Sequence, residues 1–502
     1  MQKMNEENTG SVMPEVRFFH QLLPMMFLFL LIGYGLILRP NLLQVDPLPL
    51  ELVFLLASCF SIAQLMMMGF NWEDIQTAVL GKITRGFPAI MILFAIGVII
   101  GSWIISGTMP MLVYWGVKII DPSYIYIIAF IVPIVFSLMT GTSWGSVGTV
   151  GVVIIGVATT VQADLGITAG AVIGGAYFGD KMSPLSDTTN IAAIATEVDL
   201  YDHIRSMANT TLPSALVAGI GFTVMGFVSP PEINAEATES ASQVTAQISQ
   251  LFNFHILLLL PPLIVLFGSL TRKPPLPVLM FSSLSAILLA LVFQDFRFGD
   301  VLMCLISGFD VNMSVNAGDV APSMGTLFNR GGLYELNGPI IFTIMVFIFI
   351  GSLDLMNAMP SIVRKVFGFV TTKAGLILAS LAASVFTNAS TSNQSATSFI
   401  VGDAFKSKFD SLGVPRKVLS RSIEDYGTMV ENIIPWTSTA IFVSAATGVA
   451  YADYWHWQLL ALANIVVAPM LAILGIGCFY DESTGDESTG DESTGDAEEA
   501  GN

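Results

Sequence analysis

Charge is what this chain has least of. Only 12% of its 502 residues are Asp, Glu, Lys or Arg, against 53% that are apolar. A water-soluble domain of this length needs far more charge to cover its surface, so the bilayer is the expected solvent. Histidine and cysteine are scarce as well, at four and three residues, and Cys59, Cys304 and Cys478 show neither pairing nor metal-ligand spacing. Cofactor chemistry therefore has no foothold, and none is expected. No basic cluster marks a nucleic-acid surface. The first apolar run lacks a basic start and a small-residue cleavage site, so it reads as a retained span and not a signal peptide.

What the chain does have is long apolar runs. Residues 22–38, 48–68, 88–106, 212–228, 255–270, 277–294, 339–356 and 459–476 each approach the ~20 residues needed to cross ~30 Å of hydrocarbon. An all-α polytopic membrane protein follows. The formal net charge of −18 says little about partners, because nine of the carboxylates sit in residues 481–502 with no Lys or Arg among them. There Asp-Glu-Ser-Thr-Gly repeats three times, and a segment with no apolar face to bury is expected to be a disordered acidic tail, residues 479–502.

Lys and Arg in short loops set orientation. Lys3 and Arg17 precede the first run, Lys82 and Arg85 follow the second, and Arg272 and Lys273 share a tight turn. Arg364, Lys365, Lys373, Lys406, Lys408, Arg416 and Lys417 flank a late segment, whereas residues 229–254 contain no basic group. Counting crossings from a cytoplasmic N-terminus puts all these basic groups inside, the neutral linker outside and the C-terminus back in the cytoplasm.

The two halves resemble each other. Ile100-Gly101-Ser102 followed by Met109-Pro110 recurs as Ile350-Gly351-Ser352 followed by Met359-Pro360, at one common offset. Each is followed by an apolar helix ending in a polar break, Thr140-Gly141-Thr142-Ser143 or Thr387-Asn388-Ala389-Ser390, and then by an interrupted segment holding Pro184 or Pro435. Five crossings and one re-entrant hairpin per half would make the second copy inverted, the architecture of secondary transporters. The expected organisation is a cytoplasmic segment 1–19, a first inverted repeat 20–228, an extracytoplasmic linker 229–253, a second repeat 254–478 and the tail. Gly101, Ser102, Gly351 and Ser352 read as helix-packing positions, and Trp72, Trp103, Trp455 and Trp457 as interfacial anchors.

The densest polar cluster in apolar surroundings is Gly179-Asp180-Lys181-Met182-Ser183-Pro184-Leu185-Ser186-Asp187-Thr188-Thr189-Asn190. Pro184 removes a helical hydrogen bond and presses on the carbonyl four residues back, that of Asp180; Pro435 stands in the same relation to Glu431. With the prolines aligned, Ser186 matches Thr437 and Thr188 matches Thr439. Carboxylates, hydroxyls and freed carbonyls are the hard oxygen ligands a dehydrated alkali cation needs. An intramembrane carboxylate costs at least ~2.5–3.5 kcal/mol, so Asp180 and Asp187 need a reason to be there. The bland alternative pairs Asp180 with Lys181; Asp187 has no following basic residue until Arg205. The hairpin tips add Thr142 and Ser143 on one side and Asn388, Ser390, Ser392 and Asn393 on the other. Arg421, Glu424 and Asp425 either balance the basic loop at the cytoplasmic end or serve directly. The candidate sodium ligands are Asp180 and Asp187, supported by Ser186, Thr188, Asn190, Glu431, Thr437 and the hairpin groups.

Gly141-Thr142-Ser143-Trp144-Gly145 and the run from Gly175 to Asn190 resemble signature segments of the NhaC-type sodium/proton antiporter family, and Ser420-Arg421 and Ile434-Pro435-Trp436 resemble its second-half pattern. The resemblance spans nearly the whole chain except the first ~20 residues and the acidic tail. It implies a multi-pass protein of the cell membrane with two hairpins and two broken helices, commonly a homodimer with a moving transport domain. Relatives also exchange malate for lactate or carry amino acids. The favoured reading is exchange of sodium for protons, both competing for the same buried carboxylates, since burial favours the protonated form. The other reading is a sodium-coupled exchanger of a small organic anion or an amino-acid antiporter, using half-helix N-termini as the anion clamp. An intramembrane aspartyl protease is disfavoured, because Tyr177 stands where Gly-x-Gly-Asp needs its first glycine.

Overall fold

The structure, a computed structural model, describes residues 16–231, 235–271, 273–314 and 322–480. Lys3, Arg272 and the acidic repeats lie outside the described residues. Among the described residues, nine helices are long and apolar enough to cross a bilayer, or eleven if each of two bent pairs counts as one span. The chain is an all-α, multi-pass membrane protein; the described residues add one isolated β-bridge, Phe296 to Ser314.

Helix Leu200–Val228 shows why these sequences fold as they do in lipid. Leu212, Leu216, Ile220, Val224 and Val228 are exposed, four residues apart. The opposite stripe, Ser206, Thr210, Ser214, Ala218, Phe222 and Gly226, is buried. The i, i+4 rows of one helix thus turn one apolar row outward and a row of mostly small or hydroxylated groups, with Phe222 among them, inward.

The recurrence between halves extends to backbone conformation. Helices Trp72–Ile105 and Thr108–Ile119 meet at Gly107, and Asn337–Leu355 and Ala358–Phe367 meet near Asn357; both residues are left-handed, with φ of 82° and 48°. The first hairpin, Ile125–Thr140 turning into Ser143–Ser146 and onward to Thr160, breaks at left-handed Gly141 with Thr142 as N-cap. The second, Lys373–Thr391 turning into Gln394–Ser411, breaks at left-handed Ser392 with Asn393 as N-cap. Two broken helices follow: Leu165–Met182 with Asp187–Thr196, and Arg416–Ile423 through Met429–Glu431 with Ser438–Thr447. Their second arms open on Ser186 and Thr437 and close on left-handed Glu197 and Gly448.

Glycines let the first broken helix come into backbone contact on two sides. A Cβ on Gly175 would lie 2.1 Å from the Phe130 carbonyl oxygen in the first hairpin, and one on Gly170 would lie 2.3 Å from that of Trp457. Gly101 and Gly351 are close-approach points too, facing Cys304 and Val79.

Two expectations change. Trp103 is not an interfacial anchor: it is 4% exposed, and its indole N–H donates to Ser282 Oγ at 3.0 Å. It sits where two helices pack and its one polar atom is satisfied inside the protein. The segment between the halves contains a 17-residue helix, Ala235–Leu251, where the sequence reading placed only a linker.

Candidate functional site

The breaks of both hairpins and both broken helices converge on one cavity of about 630 Å³. Nine of the thirteen candidate residues line it: Thr142, Ser143, Asp180, Asp187, Thr188, Asn190, Ser392, Asn393 and Glu431. These lie up to 289 positions apart in sequence and meet because each sits at a break, where side chains near a helix end point into shared space.

Asp180 is the centre of the arrangement. It is 3% exposed, with the hydroxyls of Ser143 and Ser186 beside it and Oδ1 meeting no donor. Asp187, Glu424 and Glu431 are its carboxylate neighbours. Glu431 is held more firmly: Oε1 accepts from Thr439 Oγ1 at 2.8 Å, and Asn388 stands beside it. Thr439 in turn accepts from Trp144 Nε1 at 3.2 Å, and Trp144 stacks on Phe442 with ring centroids 4.7 Å apart. The first hairpin thereby positions a carboxylate of the second broken helix. Asp187 begins the second arm of its broken helix, and its Oδ1 accepts from the Thr188 N–H at 3.0 Å.

The backbone at the breaks is not free, contrary to the sequence reading. The Asp180 carbonyl accepts from the Ser183 N–H at 3.0 Å, and the Glu431 carbonyl accepts from Thr437 Oγ1 at 2.7 Å. Buried backbone groups find partners wherever the chain offers one, and here the residue before Pro184 and the second residue after Pro435 supply them. Asn190, which lines the cavity, donates to the carbonyls of Pro184 and Ser186 at 3.0 and 2.6 Å, which leaves its side-chain oxygen free of those two bonds.

Four candidates stand behind the wall. Ser186 and Thr437 are helix caps, accepting from the N–H of Thr189 and Ala440, although Ser186 also stands at Asp180. Ser390 turns back onto its own helix, donating to the Phe386 carbonyl at 2.6 Å. Asn388 reaches Glu431 from outside the cavity.

Lys181 does not pair with Asp180. Its ammonium is buried against Asp425, which also accepts from Thr210 Oγ1 at 3.0 Å, while the Asp425 carbonyl accepts from Asn464 Nδ2. Arg421, 2% exposed, donates to the Gly477 carbonyl at 2.7 Å. Arg421 and Asp425 are both buried inside the protein. Sequence reasoning also left Thr439, Tyr177, Trp144 and Lys273 out of the site. Thr439 was within reach through its alignment with Thr188; Lys273, in the turn between helices Leu260–Leu270 and Pro275–Phe293, carries no local signal.

The far ends of the two short arms are tied by basic groups. Arg416 and Lys406 pair with Glu197 at the end of the first, the Lys406 contact being 2.9 Å. Arg330 donates to the Ala446 and Thr447 carbonyls at the end of the second. Among the described residues no group of three or more His, Cys, Asp or Glu side chains is arranged to hold a metal ion.

Residues 175–476 match the model of the Na+/H+ antiporter family. The chain is 37% identical to an uncharacterised Na(+)/H(+) antiporter of Haemophilus influenzae, covering 90% of this chain and 95% of that one. It is 32% identical to the Na(+)/H(+) antiporter NhaC of Bacillus subtilis, over 86% and 92% of the two chains. The malate-2H(+)/Na(+)-lactate antiporter of the same organism is 28% identical, over 87% and 92%.

Proposed function

The chain belongs to the Na+/H+ antiporter family, and from that premise we propose that it exchanges cytoplasmic sodium for external protons at Asp180, Asp187 and Glu431. One observation carries this reading. Three carboxylates border a single cavity, and the adjacent lysine that could neutralise them is committed to Asp425. A cavity with unbalanced carboxylates in a membrane protein takes up a cation or protons. Sodium suits the donors, which are carboxylate, hydroxyl and amide oxygens. Since the same oxygens bind either ion, the two compete, and exchange needs no separate coupling device.

The expected organisation supports the same reading. Repeated backbone breaks at a common spacing fit two inverted repeats, 20–228 and 254–478, placed in the cell membrane with both termini cytoplasmic and the linker outside. Labelling of intact cells at Ser240→Cys should then succeed and at Leu412→Cys should fail; the opposite pattern would break the crossing count. A homodimer is the assembly the resemblance implies, and cross-linking in native membranes tests it.

A second reading, sodium-coupled exchange of a small organic anion, is favoured by one feature: Lys273 also lines the cavity. Proteoliposomes decide between the two. Sodium-driven proton movement without malate or lactate uptake supports the cation exchanger, and uptake of either acid coupled to sodium overturns it.

A further inference from the structure

Beside the cavity lies a second buried polar group that the ion-exchange reading leaves unused. Glu424 opens a π-helical turn, Glu424–Thr428, in the first arm of the second broken helix, and it does not line the cavity. The residue is 0% exposed, and neither carboxylate oxygen meets a hydrogen-bond donor. The charged groups around it are Lys181, Asp180 and Asp187 from the first broken helix and Asp425 beside it in the chain, with the Thr428 hydroxyl nearby. Lys181 is already paired with Asp425, and buried Arg421 is directed at the carbonyls of Gly477 and Ser206. Glu424 therefore has no counter-ion of its own. An ionised carboxylate with neither donor nor counter-ion, away from water, is costly, whereas the neutral acid is tolerated.

We propose that Glu424 is a proton-carrying group in its own right, separate from the sodium ligands Asp180 and Asp187. It rests on the ion-exchange reading and extends it. A sodium ion entering beside Asp180 and Asp187 makes the potential at Glu424 less negative. The O–H bond of Glu424 then breaks, the electron pair stays on the carboxylate and the proton passes to water. When sodium leaves, the proton returns. Each sodium ion is thereby exchanged for one proton more than the cavity carboxylates release by themselves.

The experiment uses the full chain in proteoliposomes. Protons moved per sodium ion are read from the sodium gradient at which proton flux reverses, and sodium binding is read separately from counterflow of labelled sodium at equal pH. Glu424→Gln should lower the ratio by about one, because an amide releases no proton here, while counterflow stays within about twofold. Glu424→Asp should restore the ratio. An unchanged ratio in Glu424→Gln overturns the proposal, as does counterflow lost in Glu424→Gln and kept in Glu424→Asp, which would make Glu424 a sodium ligand. If Glu424→Gln does not reach the membrane, infrared difference spectra of the unaltered protein and Glu424→Asp between low and high pH take its place. One protonated-carboxyl band should shift in Glu424→Asp, and identical spectra overturn the proposal. Absence of sodium-coupled proton movement in the unaltered protein is a separate outcome: it removes the underlying reading and this inference with it.

Discussion

The ammonium of Lys181 is bound to the carboxylate of Asp425, 244 positions away, and not to that of its chain neighbour Asp180. One lysine thus joins the first arms of the two broken helices and is not available to the cavity carboxylates.

Breaking this pair should be costly and removing it whole much less so. Lys181→Met leaves a charged Asp425 with its remaining donors in the interior, a loss of about 3–5 kcal/mol. The double change Lys181→Met with Asp425→Leu should recover most of it. Thermal unfolding in detergent reads both; a single variant no less stable than the double one would show that the two residues are not an energetic unit.

Asp187→Asn keeps volume and most hydrogen bonding but neither offsets a sodium charge nor exchanges a proton. It should abolish exchange in membrane vesicles at normal protein levels, and Asp180→Asn should do the same or weaken sodium binding severely. Thr188→Val, which removes one hydroxyl from the cavity wall, should raise the apparent sodium constant more than it lowers the maximal rate. Wild-type exchange by Asp187→Asn would leave ligation to Asp180 and Glu431.

Gly175→Ala should destabilise the protein by about 1–3 kcal/mol through overpacking against the Phe130 carbonyl. Gly33→Ala is the matched control, since a Cβ there meets nothing within 4 Å. Equal melting temperatures for the two variants would mean that the first hairpin gives way readily.

Side-chain hydrogen bonds from Lys406 and Arg416 hold the Glu197 carboxyl below its ordinary value of 4.5. A depressed carboxylate contributes stability above its unfolded value and loses it as pH falls through the folded one. Glu197→Gln should therefore melt below the unaltered protein at neutral pH, with the gap closing under acid conditions and narrowing in high salt. A gap that is independent of pH would assign the loss to packing.

The polar segments were legible in sequence because they interrupt apolar runs, and the recurrence of motifs between the halves was legible because matched positions share one offset. Ser186 and Thr437, aligned only through their prolines, do occupy the same structural place; that place is a helix cap, and nothing local separates a capping hydroxyl from one facing a cavity. The partner of Lys181 was not legible for a different reason. A neighbour in sequence is not a neighbour on a helix, where adjacent residues diverge by about 100°, and its true partner is set by how two distant arms pack. Trp103 has the composition of an interfacial residue, and only the position of Ser282 shows that its N–H is spent inside.

Arg330 gives the second broken helix a mechanical boundary. The backbone beside it is fastened to helix Trp72–Ile105, with the Gly332 N–H donating to the Gly97 carbonyl at 2.7 Å, while its guanidinium grips the last carbonyls of Ser438–Thr447. The connection is a leash only one side chain long. Any displacement of Ser438–Thr447 along that long helix must either drag the segment around Arg330 with it or pull the guanidinium off its carbonyls.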